Sequence, residues 1–365
     1  MLIYFIAYGL MVLAALKRSK QGVNGKQKRF YCLFFAILWV GILGLRHPSM
    51  GIDLQYGSAY GYLGRFEYIA DTSWAELFAY GVSNFEYGYL IFCKLLGYFG
   101  TDYQLFLFVC AVIPIGAVTW WIYKNSDYPF MSSVIFLGLP FFAINYSGLR
   151  QALAIAITTI SMECINNRKP MRFVILVMLA AAFHSSAWIF LVAYPLYYIK
   201  LNKKASIITL LLPPLTFACR KPLFLALSRL FVESVNSDNN GSVALFVAFL
   251  AIYFFVVVFG TQKDQQENGL RNLFLVVCIV QSMAGMYNSA IRVGYYFMPS
   301  LIILLPRIIY NRLNAASIRE GINWRGYQDM TIFSVIICVG FILFGWYLLS
   351  STSWAMSNPY IFHWQ

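Results

Sequence analysis

The chain has 365 residues, 60% of them hydrophobic and only 11% charged, where a soluble domain carries roughly 45–50% and about 25%. Its formal charge of +13 comes from cations grouped in short connections between apolar blocks rather than along one face, which argues against nucleic acid and for the cytoplasmic loops of a membrane protein. No P-loop, Rossmann glycine fingerprint, G-x-S-x-G elbow or H-E-x-x-H occurs, so no nucleotide, metal or other cofactor is expected.

In chain order, apolar blocks fall near residues 2–16, 30–45, 87–99, 104–123, 130–145, 150–165, 173–184, 187–199, 206–219, 243–260, 271–286, 293–310 and 330–350. Backbone polar groups in lipid must be satisfied within their own segment, so these blocks are expected to be helices. Met1 to Leu16 has neither a basic leader nor a small-residue cleavage site and reads as the first span. The basic run Lys17-Arg18-Ser19-Lys20, with Lys26, Lys28 and Arg29, then puts residue 46 outside. Arg168, Lys169 and Arg172, Lys200 to Lys204, the 263–271 loop, and Arg307, Arg312, Arg319 and Arg325 mark further cytoplasmic loops. Parity requires one block not to cross. The block 87–99 is short, holds Lys94 and is flanked by glycines, so it reads as re-entrant or interfacial. The blocks 173–184 and 187–199 read as a hairpin tipped by Phe183-His184-Ser185-Ser186. The expected fold is all-α: a polytopic membrane protein of about twelve transmembrane helices plus short re-entrant or interfacial ones. Residues 1–365 form one integral membrane domain in this reading, with 46–86 and 220–242 as extracytoplasmic loops carrying short interfacial helices. A polar turn, Asn236 to Gly241, closes the second of these. The seven cysteines show no CxxC pair and read as small buried hydrophobes.

Charges at membrane depth are costly and mark function by default. Four polar islands stand out, all at the expected outer boundary. Arg46-His47-Pro48 runs into Gly51-Ile52-Asp53 and Tyr56, where the arginine either snorkels to the interface or presents a site. Asn145-Tyr146-Ser147-Gly148 opens a helix whose first turn carries Arg150 and Gln151. A cation there opposes the helix dipole, so an anion held beside it is expected. His184 tips the hairpin with no acid in that hairpin to orient it and no second ligand at zinc spacing. Asn288-Ser289-Ala290-Ile291-Arg292 precedes Tyr295-Tyr296, giving a second arginine able to fork onto phosphate.

In this order the islands resemble the EpsG family of Wzy-like exopolysaccharide polymerases. The matching elements are Arg46…Gly51-Ile52-Asp53…Tyr56, Glu86-Tyr87-Gly88-Tyr89, Leu149-Arg150-Gln151-Ala152-Leu153-Ala154, Phe183-His184-Ser185-Ser186-Ala187, Arg292 with Tyr296-Phe297, and Pro359-Tyr360. His47-Pro48 after Arg46 departs from the family's first motif. The resemblance implies a glycosyltransferase at the outer face of the bacterial cytoplasmic membrane. It would join undecaprenyl-diphosphate-linked repeat units of an exopolysaccharide, capsule or O-antigen, with a flippase and a chain-length regulator as partners. Arg150, Arg292 and Arg46 are the expected diphosphate ligands, and His184 or Asp53 the expected base. Glu86, Tyr56, Gln151 and Tyr296 are further glycan-binding candidates. The competing readings are a lipid-linked oligosaccharide flippase or other transporter, which favours midplane sites and internal repeats, and a membrane acyltransferase of the same glycan.

Overall fold

The computed structural model describes residues 2–16, 25–79, 85–228, 240–261, 264–284, 288–318, 324–351 and 355–365. The run Lys17-Arg18-Ser19-Lys20, the turn from Asn236 to Asn239, Lys263 and Arg319 lie outside them. The regular elements among the described residues are all helices, with one isolated bridge, Arg46 to Phe362, as the extended pairing among them. They gather into two compact units, 1–188 with 336–365 and 189–335.

The first unit holds ten helices among its described residues before position 188: α1 (Leu2–Leu16), α2 (Gly25–Gly44), α3 (Tyr62–Asp71), α4 (Trp74–Ala79), α5 (Tyr87–Gly97), α6 (Tyr103–Asn125), α7 (Pro129–Gly138), α8 (Pro140–Ala143), α9 (Leu149–Asn166) and α10 (Pro170–Phe183). The most extensive packing pairs α2 with α6 and α9 with α10, and α6 joins the two pairs through α9. The Asp102 side chain accepts the Gln104 N–H at 2.9 Å and starts α6. In α3 the buried Tyr62, Leu63, Phe66 and Ile69 recur on one face, while Glu67 and Tyr68 stay exposed. That face lies over Tyr89 and Cys93 of α5, Phe106 of α6, and Leu149 and Leu153 of α9 in one apolar cluster. This cluster is the platform under the polar groups described below.

Among the described residues, three helices are long and apolar enough to cross a membrane: Gly25–Gly44, Tyr103–Asn125 and Ile332–Ser350. The dozen crossings expected from the apolar blocks are not matched by a dozen helices of that length. The reason is local. Leu139 is extended before Pro140 and cuts the 130–145 block into α7 and α8. The 206–219 block is a helix, a 3₁₀ turn at Thr209–Leu211, and a second helix begun by Leu212-Pro213-Pro214. The 187–199 block is half 3₁₀. The eleven residues of α5 extend roughly 16 Å, short of the ~30 Å hydrocarbon core. Lys94 within α5 donates to the Ala70 carbonyl at 2.6 Å, near the end of α3, where a cation meets the negative end of the helix dipole.

In the second unit Gln265–Gln281 is the central helix, packed on the helices Ala193–Tyr198, Asn240–Phe259 and Pro299–Ile318. Several of its basic residues close helix ends. Lys203 donates to the Val257 and Val258 carbonyls, and Arg312 to Phe259, at the end of Asn240–Phe259. Arg307 pairs with Asp264 at 2.6 Å, the acid that caps the central helix.

A carboxylate between an arginine and a histidine

Glu86 is the N-cap residue of α5, yet its side chain makes no cap bond to that helix. The carboxylate instead turns toward two other helix ends. Its Oε2 lies 2.5 Å from Arg150 Nη1, in the first turn of α9. Its Oε1 accepts the Ser185 N–H at 2.8 Å and lies 3.4 Å from His184 Nδ1, at the long edge of hydrogen bonding. His184 is the extended residue between α10 and the 3₁₀ helix Ser185–Val192, so this carboxylate also meets the free N–H of that helix start.

The approach that makes this possible is α5 against α10. A Cβ on Gly88 would stand 2.6 Å from the Ala182 carbonyl oxygen and 2.7 Å from the Ala182 Cβ. Only glycine lets α5 come this close, two residues after Glu86 and two before His184.

Aromatic rings complete the setting. The Arg150 guanidinium lies 4.1 Å from the Phe85 ring centroid, and its Nε donates to the Tyr62 hydroxyl at 3.3 Å. Tyr62 and Phe85 stack at 5.7 Å, and Arg65 lies 5.0 Å from the other partner of that stack, Phe85. Burial pushes the Tyr62 phenol up; the Arg150 charge draws it down, and the Asp53 carboxylate raises it again. Burial alone would raise the Glu86 carboxyl, but the His184 ring, the Ser185 N–H and the Arg150 guanidinium bring it down to about 2. Glu86 is ionised at neutral pH.

The other expected residues have different surroundings. Arg46 is 1% exposed; its Nη1 donates to the Leu43 carbonyl and its Nη2 to the Tyr146 carbonyl, and its guanidinium lies 5.1 Å from the Tyr146 ring. Residues 45–47 are also bonded to the C-terminal segment: His47 N to Ile361 O at 2.8 Å and His363 N to Leu45 O at 3.0 Å. Arg46 thus pins a junction of the chain. Gly51, at φ +125°, touches the Tyr146 carbonyl so closely that any Cβ would overlap it, and this seats the turn bearing Asp53. Tyr56 is exposed and meets His47 and Tyr103 edge-on at 5.3 and 6.2 Å. Gln151 is buried in α9. Arg292, exposed, and Tyr296, fully buried, belong to the second unit. Among the described residues no group of His, Cys, Asp or Glu side chains is arranged to hold a metal ion.

The structure thus brings Arg150 and His184 together on Glu86, with Tyr62 and Phe85 against Arg150. Sequence reasoning left Tyr62 and Phe85 aside and ranked Glu86 only as a glycan contact. Arg150 is paired with the chain's own Glu86. The signal for Glu86 lay in Glu86-Tyr87-Gly88-Tyr89, where an acid and a close-contact glycine open a helix.

Among the described residues, three helices apolar and long enough to cross a membrane mark a membrane protein, and its ionic cluster is gathered at helix ends. The EpsG family model matches residues 28–362, and the chain belongs to the EpsG family. That membership suggests a Wzy-like polysaccharide polymerase. Neither the curated proteins nor the solved structures contain a match.

Proposed function

We propose that the chain is a polysaccharide polymerase that joins undecaprenyl-diphosphate-linked repeat units at the outer face of the bacterial cytoplasmic membrane, without a metal. The observation that carries this reading is the carboxylate of Glu86 between Arg150 and His184. A glycosyl diphosphate is already an activated donor, so the protein must steady the departing diphosphate and remove the acceptor proton.

His184 is the base in this reading. With Nδ1 toward Glu86, the Nε2 lone pair takes the proton from the acceptor hydroxyl while its oxygen bonds to the anomeric carbon. The bond from that carbon to the diphosphate oxygen breaks, and the electron pair leaves with the diphosphate. Glu86 stabilises the imidazolium that forms. Arg150, held by Glu86, Tyr62 and Phe85, offers the remaining edge of its guanidinium to a phosphate oxygen. Arg46 keeps the Asp53 turn in place, and Asp53 is the alternative base. The reading places 46–86 and 220–242 outside and uses about twelve crossings, some made by broken helices.

The test uses lipid-linked oligosaccharide extracted from cells in which the gene for this chain has been deleted, where unjoined repeat units accumulate. Purified protein in nanodiscs is expected to convert it into a ladder. Arg150→Ala should slow laddering about 10²–10³-fold, and His184→Ala about 10²–10⁴-fold. Near-normal laddering by Arg150→Ala would sink the phosphate role. If His184→Ala stays fully active while Asp53→Asn is dead, the base is Asp53. An acyltransferase remains the second reading, because Glu86 supplies the acidic partner that His184 lacks in sequence. Acyl transfer to the same glycan with no ladder would establish that reading instead.

A further inference from the structure

Tyr87, the residue after Glu86, begins a second feature that the ionic cluster does not use. Its ring stacks with Phe78 at 6.0 Å and 27°, and Phe78 stacks with Trp74 at 5.9 Å and 16°. Three near-parallel rings from α4 and α5 thus form one run. Centroids this far apart mean that each ring is offset from the next and keeps part of its face uncovered, since direct overlap brings carbons to about 3.5–4 Å. Phe78 is 49% and Tyr87 57% exposed. Trp74 anchors the run: it packs on the apolar cluster beneath the site and its Nε1 donates to the Tyr98 hydroxyl at 2.7 Å. Polar groups rim it, with Tyr98 on one side and the Ser73–Glu76 pair, joined at 2.8 Å, at the start of α4.

We propose that Trp74, Phe78 and Tyr87 form a stacking track for pyranose rings of the growing glycan, ending at Glu86, Arg150 and His184. A pyranose presents an apolar C–H face and hydroxyls at its edge, so it fits offset ring faces with a polar rim. A lipid tail would use the faces and leave the rim unmatched. Continuity with the ionic cluster names the occupant: the track leads along the chain from Tyr87 directly to the carboxylate. The inference rests on the polymerase reading. It adds that the glycan is retained beside the site between additions, so that chain length depends on these rings.

The experiment compares the wild type with the Phe78→Leu/Tyr87→Leu double variant in nanodiscs, on the same extracted lipid-linked oligosaccharide. Leucine keeps apolar bulk and removes the ring faces, and elution as a single species from gel filtration confirms folding. The wild type is expected to build long products, and the variant to begin normally and stop at short ones. Polymer freed from its lipid by mild acid should compete with elongation by the wild type, with a half-inhibiting concentration roughly tenfold lower than for the variant, the scale of one to two aromatic face contacts. Equal product lengths and equal sensitivity to the competitor would overturn the track. So would a uniform slowing at every length, which marks packing or lipid anchoring. If the wild type makes no ladder at all, the polymerase reading fails instead. The single variant Trp74→Phe, which keeps a ring face and loses the bond to Tyr98, should preserve product length.

Discussion

Glu86 has a bonded partner on each oxygen, and this makes it the residue on which the site depends. Its carboxyl stands at about 2 in the folded chain against an ordinary 4.5. A carboxyl lowered on folding contributes stability that is fully present above its ordinary value and is lost as pH falls through the folded one. The cluster should therefore hold the fold fully above pH ~4.5 and weaken between that and pH ~2. Thermal unfolding in detergent, followed across pH 7 to 3, is expected to show this loss in the wild type. Glu86→Gln should unfold at lower temperature at pH 7 and lose much of that acid dependence. An unchanged acid profile in Glu86→Gln would show that other carboxyls govern it. For catalysis the same variant is the informative one, because it keeps shape while leaving Arg150 without a counter-charge and His184 without an ionised neighbour. If the proposed role is right, laddering falls with Glu86→Gln nearly as far as with His184→Ala.

At the scale of elements, the site is made by three helix ends meeting over the apolar cluster of α3, α5, α6 and α9. Helix ends have unsatisfied backbone groups, and the Ser185 N–H bonded to Glu86 is one of them. Gly88 governs the meeting of α5 and α10. Gly88→Ala forces its methyl into the Ala182 carbonyl, and overpacking of this kind costs about 1–3 kcal/mol. The expected outcome is a lower unfolding temperature together with a loss of activity, since Glu86 moves with α5. Ordinary activity in Gly88→Ala would mean that Glu86 does not need its distance to Ser185. Much of this level was readable in advance. Arg150 at the start of a helix, His184 at a break and Asp53 in a glycine turn all stand where their local sequence put them. The joining of Glu86 to Arg150 and Ser185 was not readable, because those contacts span 64 and 99 positions and leave no local pattern. Helix lengths were overread for a similar reason. Hydropathy sees 130–145 as one apolar run, whereas the extended Leu139 before Pro140 divides it.

At the scale of the whole chain, sidedness is the property that decides whether an outer-face reaction is feasible. Within the first unit, contacts tie four distant segments together. Tyr4, near one end, bonds to Ser357 and Tyr146; Arg46 bonds to Tyr146 and bridges to Phe362; and Tyr146 lies four residues before Arg150. The start of α1, the end of α2, the start of α9 and the C-terminal segment therefore lie at one level of this unit. The basic loops lead one to expect residue 46 and the start of α9 on the outer side. The positive-inside rule then names the side. In a cysteine-free background, single cysteines at Tyr60 and Trp364, both exposed, are expected to react with a membrane-impermeant maleimide in intact cells. Cysteines at Arg168 and Lys204 should react only after the membrane is opened. Labelling of Tyr60 and Trp364 from opposite sides would contradict the bonds between residues 45–47 and 361–363. Labelling of both from the cytoplasm alone would leave the site intact but on the wrong face for units already flipped outward, and the reaction would then have to use lipid-linked glycan before its export.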